Sequence, residues 1–296
     1  MSICVIFNPT ARGDKAKAFR ERLAALGSNV TLKPTYAPGS ARTLAAEAVR
    51  SGFATIVAAG GDGTVNEVLN GIADEPTGVD RARLGVLPLG TINVFARELR
   101  LPKNLAEAWQ VIERGEERKI DLPQAVFSAT GEGRCFAQLG GVGLDSRSIE
   151  LVNWEHKKRF GSLAYFIAGL EAVMETQPRL VVETAEKRCE GELVLIGNGG
   201  RYGGEFDIFP GASLDDGRLH AAVFPKVNVP ALLRFGWGWL TDRIHAATGC
   251  QLIQADSIRV SAERSLAVEL DGDNVGRLPV TFGLRRSALR VLAPRG

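Results

Sequence analysis

A mostly parallel α/β half followed by a mainly antiparallel β half is the fold class this sequence predicts, on three observations. Up to about Leu122, short apolar runs alternate with stretches of helical periodicity, the rhythm of strands joined by crossover helices. From about Gln124 the pattern changes to two-residue alternation and glycine turns, which reads as a β-sandwich or curled sheet. The change of rhythm falls at Asp121-Leu122-Pro123. We therefore expect an α/β domain over 1–122 and a β-rich domain over 123–296, with the last strand able to pack back on the first domain.

The elements follow in order. Ile3 to Phe7 is continuously apolar and ends at Asn8-Pro9, a buried strand running into a turn. Lys15 to Leu26 reads as a helix, Val30 to Lys33 as a strand and Ala41 to Ser51 as a helix. The run Thr55-Ile56-Val57-Ala58-Ala59 reads as a strand, and after Gly60-Gly61-Asp62-Gly63-Thr64 the residues Val65, Val68, Leu69 and Ile72 fall on one helical stripe. Thr64 and Glu67 have the spacing of a capping box. A strand at Leu84 to Leu87 and helices from Thr91 and from Leu105 complete the half. Beyond it we expect one helix, Ser162 to Glu175, and strands at Glu192–Ile196, Arg218–Phe224, Ser257–Val260, Leu266–Leu270, Pro279–Leu284 and Ala288–Leu292.

The glycine loop carries the most chemistry. Glycines there remove the side chains that would hold a ligand away from the amides of a helix start, which is where anions bind. Asp62 complicates that reading. A helix N-terminus stabilises an anion by about 0.3–2 kcal/mol, whereas two unit charges about 4 Å apart at an effective dielectric near 20 repel by roughly 4 kcal/mol. A phosphate shares the loop with Asp62 only if a cation lies between them, and Mg²⁺ is suited to carboxylate and phosphate oxygens together. On the local pattern alone this reading and a turn merely stiffened by Asp62 both stay open. Two further loops, Asn8 to Gly13 and Pro88 to Asn93, also follow strands of this half, and ligands in such sheets sit beyond the strands' carboxyl ends.

Composition narrows the class. A chain of 296 residues with a formal net charge of +2 carries no polyanion-binding tract, so nucleic acid is not an expected partner. The one basic cluster, Lys157-Lys158-Arg159 beside Trp154, reads as a solvated helix face or as a patch for a membrane surface. Cys4, Cys135, Cys189 and Cys250 form no CxxC pair, and His156, His220 and His245 lack metal-ligand spacing, so neither zinc nor a disulfide framework is expected. The start of the chain lacks the features of a signal peptide and no apolar run is long enough to span a bilayer; the expected location is cytoplasmic.

In the second half, Asp215-Asp216-Gly217 and Asp271-Gly272-Asp273-Asn274 read as hairpin turns, since Asp-Gly is a favoured turn pair. The alternative is a set of carboxylates facing the glycine loops. Gly-Lys occurs nowhere, which removes Walker A enzymes, and the third glycine of a dinucleotide fingerprint is missing at Asn66 and at Ser146.

Taken together, the chain closely resembles the lipid kinase family built on the diacylglycerol kinase catalytic domain, with its sphingosine and ceramide kinase relatives. The likeness runs through Asn8-Pro9 with Gly13, Gly60 to Asn66, Gly90-Thr91-x-Asn93 with Ala96-Arg97, Ile120-Asp121-Leu122 and Gly141-Val142-Gly143-Leu144-Asp145. It continues through Gly161 with Leu163-Ala164-Tyr165, Gly197-Asn198-Gly199 with Tyr202-Gly203-Gly204, Pro210, Asp216-Gly217 and Asp271-Gly272-Asp273.

That resemblance implies a first domain like those of NAD kinase and phosphofructokinase, with ATP held by Asn8, Pro9, Thr10, Ala11, Arg12, Thr35, Gly60, Gly61, Asp62, Gly63, Thr64, Val65, Asn66, Gly90, Thr91 and Asn93. It implies Mg²⁺ among Asp62 and Asp121, and a structural Mg²⁺ held by the Asp216 carboxylate with the carbonyls of Ser213 and Arg218. Asp271 and Asp273, with Asp62, are the implied catalytic acids. Asp273 stands where the family usually has the glutamate that takes the proton from the lipid hydroxyl, and Val94 stands where many diacylglycerol kinases carry an aspartate.

The implied activity is transfer of the γ-phosphoryl group of ATP to the hydroxyl of diacylglycerol or a related lipid such as ceramide or a sphingoid base. Val229 to Ile244, with Leu232, Leu233, Phe235, Trp237, Trp239 and Leu240, is a candidate apolar rim for that lipid; core packing is the alternative. Partners would be a membrane lipid substrate and a membrane surface touched transiently, and because relatives often pair, a homodimer is open to this chain. Two other readings compete: an NAD kinase-like enzyme with a soluble acceptor, and a nucleotide- or lipid-binding protein that has lost catalysis.

Overall fold

A computed structural model describes residues 2–9, 17, 19, 21, 30–144, 146–147, 173, 177–202, 206–241 and 243–295 of the chain. Of the expected helices at Lys15–Leu26 and Ser162–Glu175 only residues 17, 19, 21 and 173 are described, each helical, and the basic cluster at 157–159 lies outside this description. Packing divides the chain into two units. Unit 1 comprises Met1–Leu122, Cys135–Ala137 and Arg285–Gly296; unit 2 comprises Pro123–Arg134 and Gln138–Leu284.

Unit 1 is built on β1 (Ile3–Phe7), β2 (Val30–Pro34), α1 (Ser40–Arg50), β3 (Thr55–Gly60), α2 (Asp62–Asp74), α3 (Gly78–Arg81), β4 (Arg83–Pro88), α4 (Val94–Glu98) and α5 (Leu105–Arg114), after which β5 (Glu116–Phe127) crosses into unit 2 and β6 (Gly133–Cys135) returns. The strands pair in parallel in the order β2-β1-β3-β4. All of β3 and most of β1 and β4 are buried, as a parallel sheet covered on both faces requires. Val5, Phe7, Val57, Ala59 and Leu87 pack with Ala108 and Ile112 of α5, while α1 and α2 lie against each other and against β1 and β3.

Unit 2 continues with β7 (Leu139–Gly143), β8 (Leu180–Glu183), β9 (Arg188–Gly191), β10 (Leu193–Gly197), β11 (Arg201–Tyr202), β12 (Phe206–Asp207), β13 (Leu219–Phe224), α6 (Val229–Leu240), α7 (Ile244–Thr248), β14 (Gln251–Ala255), β15 (Ser257–Ala262), β16 (Ala267–Leu270), β17 (Asp273–Arg277) and β18 (Val280–Ala293). One antiparallel sheet runs β14-β13-β10-β7-β16-β17, and β18, β15, β8 and β9 form a second antiparallel run. A Cβ on Gly140 of the first sheet would stand 3.1 Å from the Phe282 ring of the second, so a side chain would crowd the place where the two sheets meet.

Several local expectations change. The helix expected from Thr91 begins at Val94, because Asn93 adopts a left-handed φ of 55° that no continuing helix accepts. The strands expected at Pro279–Leu284 and Ala288–Leu292 are one strand, β18, with Ser287 at φ 47° inside it; its end returns to unit 1, where Val291 pairs with Leu84. Two helices, α6 and α7, stand in a half where one was expected at another place. The sequence of α6 is apolar nearly all round, so it lacks the polar face that marks a helix by periodicity.

Candidate functional site

The carboxyl ends of four neighbouring strands in unit 1 deliver the loops singled out by the sequence. Phe7 pairs with Pro34 and with Ala59, and Gly60 with Pro88; Asn8, Thr35, Gly61 and Gly90 therefore leave the sheet at one edge. The Thr35 amide donates to the Phe7 carbonyl at 2.8 Å, fixing Thr35 beside Asn8. Asn8 and Pro9 are exposed, as is Thr91. Thr10, Ala11 and Arg12 lie outside the described residues, with Gly13.

Two glycine loops meet backbone to backbone at this edge. A Cβ on Gly90 would stand 2.5 Å from the Gly61 Cα, and one on Gly61 would stand 3.3 Å from the Gly90 Cα. Asn93 locks the second loop: its Oδ1 accepts from the Gly90 amide at 3.0 Å and its Nδ2 donates to the Gly90 carbonyl at 2.6 Å. Asn93 is thus a scaffold residue with a buried side chain. The Gly61 carbonyl accepts from the Val65 amide at 3.1 Å, opening α2. The amides of Asp62, Gly63 and Thr64 at that start have no acceptor among the described residues, which leaves three donors for an anion.

Asp62 is held from the far side of this arrangement. The Phe95 amide of α4 donates to its Oδ1 at 3.2 Å, so a residue of the first glycine loop caps the helix that follows the second. Its Oδ2 makes no hydrogen bond among the described residues. That oxygen fits a hard cation bridging carboxylate and phosphate.

Other candidates are committed elsewhere. Val65 is buried and its amide is used by Gly61. Asn66 faces inward: its Nδ2 donates to the Cys135 carbonyl at 3.3 Å and its Oδ1 accepts from Asn70 at 3.1 Å. Asp121 is buried, and its Oδ1 accepts from the Ser287 amide at 2.7 Å, so its observed work is to hold the left-handed kink of β18. The capping box is overturned. Gly61 is the N-cap of α2, without a side-chain bond, and Glu67 reaches across to α1, accepting from the amides of Gly39 at 2.8 Å and Ala41 at 2.9 Å.

In unit 2, the Asp215-Asp216-Gly217 turn closes on Asp216. Its carboxylate accepts from the amides of Ser213 at 3.1 Å and Arg218 at 2.9 Å, and His220 Nε2 lies 2.8 Å from Oδ2. A carboxylate offers about four lone-pair sites, so the turn leaves room for one further ligand beside His220. The described residues contain no group of three or more His, Cys, Asp or Glu set to hold a metal; a cation here would depend on backbone carbonyls.

Asp271 and Gly272 form a two-residue hairpin between β16 and β17, with Leu270 opposite Asp273 and φ of 48° and 95°, the left-handed pair such a turn requires. Asp271 Oδ1 accepts from the amides of Gln138 and Leu139, both at 3.0 Å, tying the turn to the start of β7. Asp273 is exposed. Beneath the turn lies a residue that the sequence reading missed: Glu269, buried, whose carboxylate accepts from the Gly272 amide. Asn70 was missed as well. It is buried and clasps the Cys135 backbone, accepting from its amide at 3.0 Å and donating to its carbonyl at 2.9 Å. The signal for both was a polar residue at a position whose neighbours are apolar, Val268 and Leu270 around Glu269, Leu69 and Ile72 around Asn70.

The candidate lipid rim divides into two faces. Leu232 and Phe235 of α6, with Leu195, Tyr202 and Phe224, line an apolar cavity of about 190 Å³ within unit 2. Leu233, Trp237 and Leu240 do not line it and stand exposed. No helix among the described residues is long and apolar enough to cross a membrane.

Comparison with known proteins covers nearly the whole chain. Residues 2–125 match the family model described as the diacylglycerol kinase catalytic domain, and residues 140–293 match that of the YegS C-terminal NAD kinase beta sandwich-like domain. The chain is 30% identical over 302 residues to a diacylglycerol kinase of Bacillus subtilis (strain 168), covering 98% of this chain and 96% of that one. It is 31% identical over 301 residues to a diacylglycerol kinase of Staphylococcus epidermidis (strain ATCC 12228 / FDA PCI 1200), covering 98% and 92%. Among solved structures it resembles a diacylglycerol kinase from Bacillus anthracis str. Sterne with a TM-score of 0.78 and 26% identity, covering 99% of this chain and 96% of that one.

Proposed function

The chain belongs to the diacylglycerol kinase catalytic-domain family and is a lipid kinase, and from that premise we propose that it transfers the γ-phosphoryl group of ATP to a hydroxyl of diacylglycerol or a related membrane lipid. The observation that carries the nucleotide half of this reading is the contact of Gly61 with Gly90, which bares the amides of Asp62, Gly63 and Thr64 at the start of α2. Those amides are the natural partners of the nucleotide phosphates, with Asn8, Pro9, Thr35 and Thr91 around them.

Phosphoryl transfer asks of a protein mainly positioning and charge neutralisation, together with a base for the alcohol. Mg²⁺ held by Asp62 Oδ2 would supply the neutralisation. Asp62 is pre-set for that work by the Phe95 amide. Of the two hairpin acids, Asp271 holds the amides of Gln138 and Leu139, and exposed Asp273 would take the proton of the lipid hydroxyl. A structural Mg²⁺ at the Asp216 turn would use the Asp216 carboxylate, whose Oδ1 carries the smaller load of partners, and the carbonyls of Ser213 and Arg218. The cavity behind α6 would take only part of one acyl chain of the acceptor.

The deciding experiment is a labelled-ATP assay against detergent-dispersed diacylglycerol, monoacylglycerol, ceramide, sphingoid bases and phosphatidylglycerol, with NAD⁺ as the soluble acceptor. We expect Mg²⁺-dependent label in a lipid. Label in NAD⁺ alone, or ATP binding with no labelled product, would sink the proposal.

A further inference from the structure

Helix α6 is apolar on two opposite faces, and only one of them is covered. Leu232 and Phe235 turn inward to the cavity of unit 2, where the Phe235 ring lies 6.4 Å from that of Phe224. On the outside, Val229, Leu233, Trp237 and Leu240 are 44%, 72%, 67% and 74% exposed. Their spacing of four, four and three residues lines them along one stripe. A helix hydrophobic all round is normally enclosed by protein or by lipid, and scattered single apolar residues do not arrange themselves in this way.

The charges beside the stripe identify what covers it. Over Val229–Leu240 the sequence contains no acidic residue and one basic one, Arg234, which is exposed; beyond the helix Asp242 precedes exposed Arg243. Trp237 supplies an indole, the side chain most suited to the boundary between headgroups and acyl chains, and long arginines reach from such a boundary to lipid phosphates. We propose that this outer face of α6 is the membrane-docking surface of the enzyme, lying in the plane of an anionic bilayer with Leu233, Trp237 and Leu240 inserted and Arg234 and Arg243 at the phosphates. The proposal rests on the reading that the acceptor is a membrane lipid, and it adds where the membrane is met and which lipid charge is preferred. It also places one side of α6 against the bilayer while the other side lines the cavity.

The test is sedimentation of the full chain with phosphatidylcholine vesicles and with vesicles that also contain phosphatidylglycerol, at low and physiological salt. We expect tighter binding to the anionic vesicles, weakened by salt. The double substitution Leu233→Ser with Trp237→Ser should lower vesicle affinity by about tenfold or more, while turnover of lipid dispersed in detergent and the thermal midpoint stay unchanged. Arg234→Gln with Arg243→Gln should remove the preference for anionic vesicles. Unaltered vesicle binding by the Leu233/Trp237 variant overturns the proposal, as does loss of its activity in detergent. Conversion of a dimer to a monomer in light scattering, with vesicle binding retained, would make the stripe an interface between two copies instead. If wild-type protein binds vesicles yet labels no lipid, the kinase reading fails and the docking surface stands.

Discussion

Asp62 takes part in two relationships that a single substitution separates. Its Oδ1 accepts the Phe95 amide, a duty that an asparagine oxygen also performs, whereas the charge proposed to hold Mg²⁺ is lost in Asp62→Asn. We expect that variant to melt within a few degrees of wild type, since about 1 kcal/mol moves the midpoint of a domain by only about 2–8 °C, and to lose about 10²–10³ in kcat, the usual scale for removing one electrostatic stabiliser. An active Asp62→Asn enzyme would remove the metal assignment. The hairpin acids should separate in the opposite sense. Asp273→Asn should leave stability intact and abolish the acid limb of the pH–rate profile, because an amide cannot take up a proton. Asp271→Ala removes the acceptor of two amides and should cost about 2 kcal/mol, read as a lower urea midpoint. Glu269 belongs with Asp271: it supports the Gly272 amide from below, and its substitution by alanine should raise KM and lower stability without changing the shape of the pH profile.

At the scale of elements, the contacts that decide geometry join pieces distant in sequence. Helix α1 begins at Gly39, which has no side chain to cap it; Glu67 of α2 supplies the missing acceptor to the amides of Gly39 and Ala41. Glu67→Ala should therefore cost about 1–2 kcal/mol, measured by urea denaturation, and an unchanged midpoint would show that water replaces the carboxylate there. The sequence made Thr64 the partner of Glu67, a sound reading of local spacing. It fails because α2 starts two residues before Thr64, with Gly61 as its cap, and because the amide donors that Glu67 accepts from lie 26 and 28 residues upstream, where no local window reaches. The same limit explains Asp121, whose carboxylate meets Ser287 of β18, a partner 166 residues away. What was legible is the alternation of β1 to β4 with α1, α2 and α5, because burial writes its period directly into the chain, and the Asp271-Gly272 turn, because only a few residues accept its φ values. Helix α6 was legible as an apolar stretch and not as a helix, since a helix with two apolar faces shows no period. The packing of Gly61 on Gly90 lay between these cases: both glycines were evident, their contact was not. Gly90→Ala should force the two loops apart and raise the KM for ATP about tenfold, with a smaller effect on kcat.

For the molecule as a whole, the cysteines report on both units at once. Cys4 and Cys135 are buried in unit 1, and Cys189 and Cys250 are partly buried in unit 2, none of them in a disulfide. Burial pushes the thiols of Cys4 and Cys135 up to about 11 and that of Cys250 up to about 12, and burial also raises Cys189. A thiol whose folded pKa lies above its unfolded value is ionised more readily in the unfolded chain, so the unfolded chain binds fewer protons as pH rises and stability falls. The contribution is fully present below the ordinary thiol pKa near 9 and is lost as the pH climbs from there towards 11. Urea midpoints should thus be level between about pH 7 and 8.5 and decline above about pH 9, with Cys4→Ala and Cys135→Ala each making the decline shallower. The same protonation makes these thiols poor nucleophiles: at neutral pH a disulfide reagent should label Cys189 first, and Cys4 and Cys135 only as unit 1 opens. Labelling at increasing urea would then read the two units separately, and ATP with Mg²⁺ should delay Cys4 and Cys135 more than Cys250, because a ligand stabilises the part of the fold that binds it. Equal delay at all three sites would mean that the units unfold as one, and delay confined to Cys250 would place the nucleotide in unit 2, against the assignment of the glycine loops.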